Sequence, residues 1–238
     1  MKGYKGFNNK LQCVPTRKPF SYEVGKTYTH RGPVKLCSQG FHFCEHPLDT
    51  LSYYKPLDDS RYAEVDADGV SDQTENDSKR VAQSLTIKAE VKIPALIKAA
   101  VEFVFQKVKA TTGDSAHSAT TGDSAHSATT GNSAHSATTG DYAHSATTGD
   151  SAHSATTGNS AHSATTGNSA QSSVAGEQCI AASLGVAGQA KGIKGNWIVL
   201  AEWDDGKIKA MGIARIDGKK IKSDTFYTLK GGKFVEVK

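Results

Sequence analysis

Residues 110–172 repeat a nine-residue unit, Ala-Thr-Thr-Gly-Asp/Asn-Ser-Ala-His-Ser, seven times, differing only by Asp/Asn exchange, by Tyr142 for Ser and by Gln171 for His. The stretch contains no Leu, Ile, Val, Phe or Trp. It buries little apolar area, so a flexible linker is the simplest alternative to an ordered fold. Three features favour order. A linker does not need so strict a period, whereas β-solenoid repeats put Gly at turns and small residues against a thin core. The Gly phase continues at Gly176 and Gly185, where Cys179, Ile180 and Leu184 introduce larger apolar side chains, as a capping coil would. One unit supplies a single turn and a single strand, too little to enclose a core, so two units per coil is the simplest closure. The expectation is a flattened solenoid, or β-roll.

The Asp/Asn choices agree with that count. Two-unit stacking sets Asp114, Asn132, Asp150 and Asn168 along one edge, charged alternating with neutral. Three-unit stacking would set Asp114 on Asp141 and Asp123 on Asp150, and like charges stacked on rungs ~4.8 Å apart repel. Within each strand, Ala and Ser are expected inward and His outward, because burying six imidazoles is costly. Val108 and Ile180 fall at the His phase and argue the other way, although flanking segments need not keep the array's parity.

The flanks read as ordinary globular sequence. Residues 1–109 form an α+β unit: strands at Gly3 to Phe7 and around Tyr22 to Tyr28, then VKLCSQGFHFC after the Gly32-Pro33 turn. A short helix after Pro47 carries Leu48, Leu51 and Tyr54, and the strands SRYAEVDA and LTIKAEVKI are joined by the polar loop GVSDQTENDSKR. From Pro94, Leu96, Ile97, Ala100, Val101, Val104 and Phe105 share one helical stripe directly before the array. The solenoid with its cap spans 110–190. Residues 191–238 read as an antiparallel β-meander punctuated by Asp205-Gly206, Asp217-Gly218 and Gly231-Gly232. Its Trp197, Ile198, Leu200 and Trp203 would pack on the N-terminal unit or seal the solenoid's open end. The fold class expected is therefore α+β with a central β-solenoid and a C-terminal β-meander.

Charge is unevenly spread. The array holds Asp114, Asp123, Asp141 and Asp150 but no Lys or Arg, so the net +4 of the chain becomes +8 for the flanks. Lys207, Lys209, Lys219, Lys220 and Lys222 alternate with apolar residues, as the wet side of a meander would, and nucleic acid is not expected as a partner. The N-terminus lacks an apolar signal region and no stretch is long enough to span a membrane. Cys13, Cys37, Cys44 and Cys179 are too scattered for a disulfide scaffold, which points to reduced thiols in a cytoplasm.

KGYKGF, YEVGKTY, LCSQGFHFC followed by EHPLDTLSYY, SRYAEV and GNWIVLAEW together resemble a family of phage and prophage proteins. That family combines an N-terminal domain without assigned function, Gly-Asp-x-Ala arrays of variable length and a short β C-terminus. The resemblance implies a viral origin and no activity. The array alone, through Gly113, Ala116, Ser118 and their successors, is similar to the Gly-x-x-Ala-x-Ala coils of trimeric autotransporter heads, which implies a β-roll and homo-oligomerisation. GFHFCEHPLDTLSYY resembles the Gly-Phe-Tyr, then Ala-x-x-Tyr segment of ADP-ribosyltransferase folds, but no motif identifies a catalytic Glu.

Candidate chemistry is sparse. Cys37, His42, Cys44 and His46 lie within ten residues, yet their spacing is not a standard zinc pattern and a thiol beside Phe41 and Phe43 is ordinary core. No metal and no cofactor is expected. With two units per coil, His117, His135 and His153 share one face and His126, His144 and His162 the other. These imidazoles, with Asp114, Asp123, Asp141, Asp150 and Tyr142, are the candidate binding surface. The expectation is a non-enzymatic phage or prophage protein whose solenoid binds or spaces a partner, engaging a host protein, including a defence component, in the host cytoplasm. An oligomeric virion or adhesion component and an ADP-ribosyltransferase-like enzyme are the alternatives.

Overall fold

The computed structural model describes residues 1–14, 18–56, 58–73 and 77–237. The chain divides into two compact units, Met1–Ala100 and Val101–Lys238, with the boundary inside the helix Ile93–Lys107. Among the described residues no helix is long and apolar enough to cross a membrane.

The first unit is built on an antiparallel five-stranded sheet in the order Thr27–Thr29, Lys79–Val91, Phe41–Cys44, Lys2–Phe7, Arg61–Val70. Arg61–Val70 also pairs with Lys79–Val91, so four strands close on themselves around Phe7, Leu11, Tyr22, Phe43, Val65, Leu85 and Ile87. Closure removes the exposed edges that an open sheet of this size would present. The segment expected as one strand at Tyr22 to Tyr28 is two pieces. Phe20–Ser21 pairs with Gln12–Cys13, the chain turns at Gly25 with φ +86°, and only Thr27–Thr29 joins the main sheet. The expected polar loop is shorter than its sequence suggested, because Val70 and Lys79 still pair within strands; residues 74–76 lie outside the described ones. The helix after Pro47 is a 3-10 turn, Pro47–Asp49, running into Thr50–Tyr53, with Leu48 and Leu51 buried as their spacing required.

In Ile93–Lys107 the stripe Leu96, Ile97, Ala100, Val101 and Val104 is buried, and Phe105 half-buried. The array then winds as a solenoid of two parallel sheets, each strand pairing with one eighteen residues away: His126 with His144, His135 with His153, His162 with Ile180. Two units per coil is therefore the observed closure. At six of the array's seven corners Gly has a large positive φ, +149° at Gly140, Gly167 being the exception, and the Ser two residues on, or its replacement, sits in the left-handed region, as at Ser133 and Tyr142. A Cβ on Gly140 would stand 2.1 Å from the carbonyl oxygen of Gly122 on the adjacent coil, so the corner needs glycine twice over, for φ and for clearance.

Ala134, Ala143, Ala152, Ala161 and Ala170 are fully buried in the core, together with Ser127, Ser136, Ser145, Ser154, Ser163 and Ser172. The serines do not lie in an apolar interior unpaired. Ser127 Oγ donates to Ser118 Oγ at 2.9 Å, Ser136 to Ser127 at 2.8 Å, Ser145 to Ser136 at 2.8 Å and Ser154 to Ser145 at 2.9 Å. This chain of hydroxyls crosses between the sheets at every step. Among the inward threonines, Thr129, Thr147 and Thr156 donate to a backbone carbonyl, Thr156 Oγ1 to that of His162 at 3.2 Å, and Thr165 donates to Ser183 Oγ at 2.9 Å, whereas the buried Thr120 and Thr138 hydroxyls have no hydrogen-bond partner among the described residues.

Past the array, Ile180–Ser183 and Gln189–Lys191 extend the two sheets, and the C-terminal strands finish them as two hairpins, one per sheet. Trp197–Asp204 with Lys207–Arg215 completes the first, and Tyr227–Lys230 with Lys233–Glu236 the second. Cys179, Ile198, Leu200, Ile216, Tyr227 and Leu229 form the apolar plug between them. Trp203 Nε1 donates to the Leu184 carbonyl at 2.8 Å, tying the hairpin to the capping coil.

Candidate functional site

Strand parity decides what the solenoid displays. In His135–Thr139 the pattern is exposed His135, buried Ser136, exposed Ala137, buried Thr138, exposed Thr139, so imidazole, methyl and hydroxyl columns face outward, as expected for His. His117, His135 and His153 stack with ring centroids 4.9 Å and 4.8 Å apart and planes within 9° and 2° of parallel. Burial lowers the His135 pKa below its ordinary value, with repulsion from His153 and His117 acting in the same direction.

The other sheet has the same parity but a different environment. Its outward His144, Ala146, His162 and Ala164 are buried, and Phe103 of the helix lies edge-on to His126 at 5.9 Å. Ile180, in register with His162, keeps the array's parity and is itself buried. An apolar residue at the His phase therefore marks a covered outer face, and the parity break invoked for this segment does not occur.

The edges carry a second ladder. The Asp114, Asn132 and Asp150 side chains accept the backbone N–H groups of Asn132, Asp150 and Asn168, at 3.3, 3.3 and 2.9 Å. On the opposite edge Asp141 accepts from Asn159 at 2.7 Å and Asn159 from Glu177 at 2.9 Å. An Asp/Asn side chain one coil away thus caps these five corner amides, which is why either residue serves. Here the charge argument from sequence needs correction: two-unit stacking alternates charge on one edge but sets Asp123 beside Asp141 on the other, where Ser124 N–H donates to the Asp141 carbonyl at 2.7 Å. The predicted surface residues are thus distributed, not gathered. His117, His135 and His153 share the exposed face; His126, His144 and His162 lie on the covered one; Asp114 and Asp150 flank one edge; Asp123, Asp141 and Tyr142 flank the other.

The first unit contains a cleft of about 330 Å³ lined by Lys5, Cys13, Cys37, His42, Cys44, Tyr53, Tyr54 and Lys79, among others. The ligand atoms of Cys37, His42, Cys44 and His46 do not converge on one point; instead His42 Nε2 accepts the Cys37 N–H at 2.8 Å. His42, Tyr53 and Tyr54 do meet in this cleft, but no carboxylate lines it among the described residues. Gly6 permits the wall: a Cβ there would lie 2.5 Å from Tyr54 Cδ2. Lys5 is the residue that sequence reasoning passed over. It is buried, its Nζ donating to the His42 carbonyl at 2.6 Å and lying 5.4 Å from the Tyr22 ring centroid. The signal was present, because Lys5 shares its strand parity with the core residue Phe7.

Residues 1–99 match the model of a domain of unknown function, DUF7666. The match covers the first unit and stops before the array. No curated protein and no solved structure matches the chain.

Proposed function

We propose that the chain is a non-enzymatic interaction protein of phage or prophage origin, acting in the host cytoplasm, whose solenoid holds one flat face to a host protein. The observation that carries this reading is the contrast between the sheets: the column of His117, His135 and His153 is in register and open, whereas its counterpart is covered. From His117 to Thr157 the open face displays imidazole, methyl and hydroxyl groups at the rung spacing and no Lys or Arg, the first lysine on it being Lys191 in register with Ser173. Phosphate binding draws on cationic side chains, so a protein surface suits this face better than nucleic acid does. Its backbone is fixed by hydrogen bonds on both sides, which spares the ordering entropy that a flexible binding segment would lose.

A photo-crosslinking residue placed at exposed Ala137, and separately at exposed Lys219, tests this in infected cells. A discrete heterologous adduct from position 137 alone supports the proposal. An adduct of the chain with itself supports the homo-oligomeric virion or adhesion reading instead. No adduct, or the same adducts from both positions, overturns the assignment of the face.

A further inference from the structure

We propose that the cleft of the first unit captures a small aromatic carbonyl compound, with Lys5 Nζ joining its carbonyl carbon as a Schiff base. The Lys5 amine is in the wrong place for a structural lysine. Lys5 is 7% exposed, and lysine is buried to this degree only when its charge is paired or abandoned. Among the described residues no carboxylate pairs with it. Nζ donates to the carbonyl oxygen of His42, and around it lie the faces of Tyr22 and Phe7, at 5.4 and 5.8 Å from their centroids, and the thiols of Cys13 and Cys44. One acceptor satisfies one of the three protons an ammonium carries, whereas a neutral amine in the same place keeps a lone pair for attack. Burial lowers the Lys5 pKa, in the direction that frees this lone pair.

Lys5 lines the cleft together with aromatic walls from Tyr4, Phe43, Tyr53 and Tyr54, which suit a planar body. Lys79 lines the same cleft, its Nζ 5.0 Å from the Tyr53 ring centroid, and no Asp or Glu does so among the described residues. Asp77 accepts from the Tyr53 hydroxyl beside the cleft, so the aromatic walls and the amine, not a net charge, select the ligand. In the reaction the Nζ lone pair forms a bond to the carbonyl carbon, the C=O bond opens, both amine hydrogens leave with the oxygen as water, and C=N remains. Neither oxidant nor reductant is consumed.

The test uses the full chain at neutral pH with benzaldehyde as probe and cyanoborohydride to reduce any imine to a stable secondary amine. Intact mass and peptide mapping read the result. The expected outcome is one adduct, on Lys5, formed ahead of every surface lysine and lost in Lys5→Arg and in Lys5→Met. Acetaldehyde, which lacks the aromatic ring, should label Lys5 more slowly; equal labelling would overturn the aromatic part of the proposal. In the unmodified sequence, label spread over surface lysines with Lys5 untouched, or Lys5 labelled only in urea, would overturn the whole.

Discussion

Ser145 Oγ donates to Ser136 Oγ at 2.8 Å, although the two residues are nine apart and belong to opposite sheets. The thin core is therefore held by a polar chain in which Ser127, Ser136 and Ser145 each both give and receive. Ser145→Ala removes two links, because Ser154 Oγ loses its acceptor as Ser136 loses its donor. A buried hydroxyl left unsatisfied costs about 1–3 kcal/mol, so the urea midpoint should fall by a corresponding amount. Exposed Ala137→Ser, which touches none of this chain, should leave the midpoint unchanged; equal effects would mean that the ladder contributes nothing.

Gly140→Ala tests the corner. The residue has φ +149°, and the added methyl would meet the Gly122 carbonyl at 2.1 Å, a contact with backbone on the adjacent coil. Strain from φ alone is of order 1–3 kcal/mol, and the clash adds to it because neither coil can shift without breaking its register. The thermal midpoint should drop by more than for Gly206→Ala, where a Cβ finds open space and only the positive φ is penalised. Similar losses at both sites would show that coil-to-coil approach is not limiting.

The imidazole ladder should make the solenoid sensitive to mild acid. His135 has a lowered pKa when folded, chiefly through burial and then through His153 and His117. Starting below its ordinary pKa of 6.5, the unfolded chain therefore binds the proton more readily than the folded one. Folding stability should fall as pH drops through that window and level off once the folded imidazole is charged. An NMR titration of the His135 ring checks this, and the double variant H117Q/H153Q should move its midpoint part of the way back, since burial remains. A midpoint unmoved in that variant would remove the coupling.

The solenoid was legible in the sequence because every determinant repeats: glycine for the corner, Asp/Asn for the neighbouring amide, small residues for the core, and a parity that sets His outward. The closure of the first sheet was not, since the pairing of Arg61–Val70 with Lys79–Val91 coexists with the pairing of Lys2–Phe7 on its other side, and local patterns do not encode both. Ile180 was readable only in part. Its apolar character announced burial at the His phase, but which surface was covered depends on the rest of the structure, not on the repeat. Lys5 was overlooked because lysine on a strand is ordinarily solvated, and its parity with Phe7 was the sole clue.

That environment makes coil number a sharper test than coil content. Deleting residues 128–145 removes one coil, and each remaining strand still finds a partner of identical sequence in the same sheet. The edges change little: Asp114 comes to lie beside Asp150 on one, while the Asp123 and Asp141 juxtaposition disappears from the other. This variant should fold with a circular dichroism spectrum like the parent's. Deleting residues 128–136 instead moves every later strand to the opposite sheet. Ile180 would leave its covered position, losing roughly 1.5–3 kcal/mol of burial, while Gln171 would be carried from the half-open face to the covered one at a further cost of about 1–3 kcal/mol. The nine-residue deletion should therefore melt well below the eighteen-residue one and bind a hydrophobic dye. Equal stability of the two would mean that the sheets are interchangeable and that the contrast between their outer faces carries no energy.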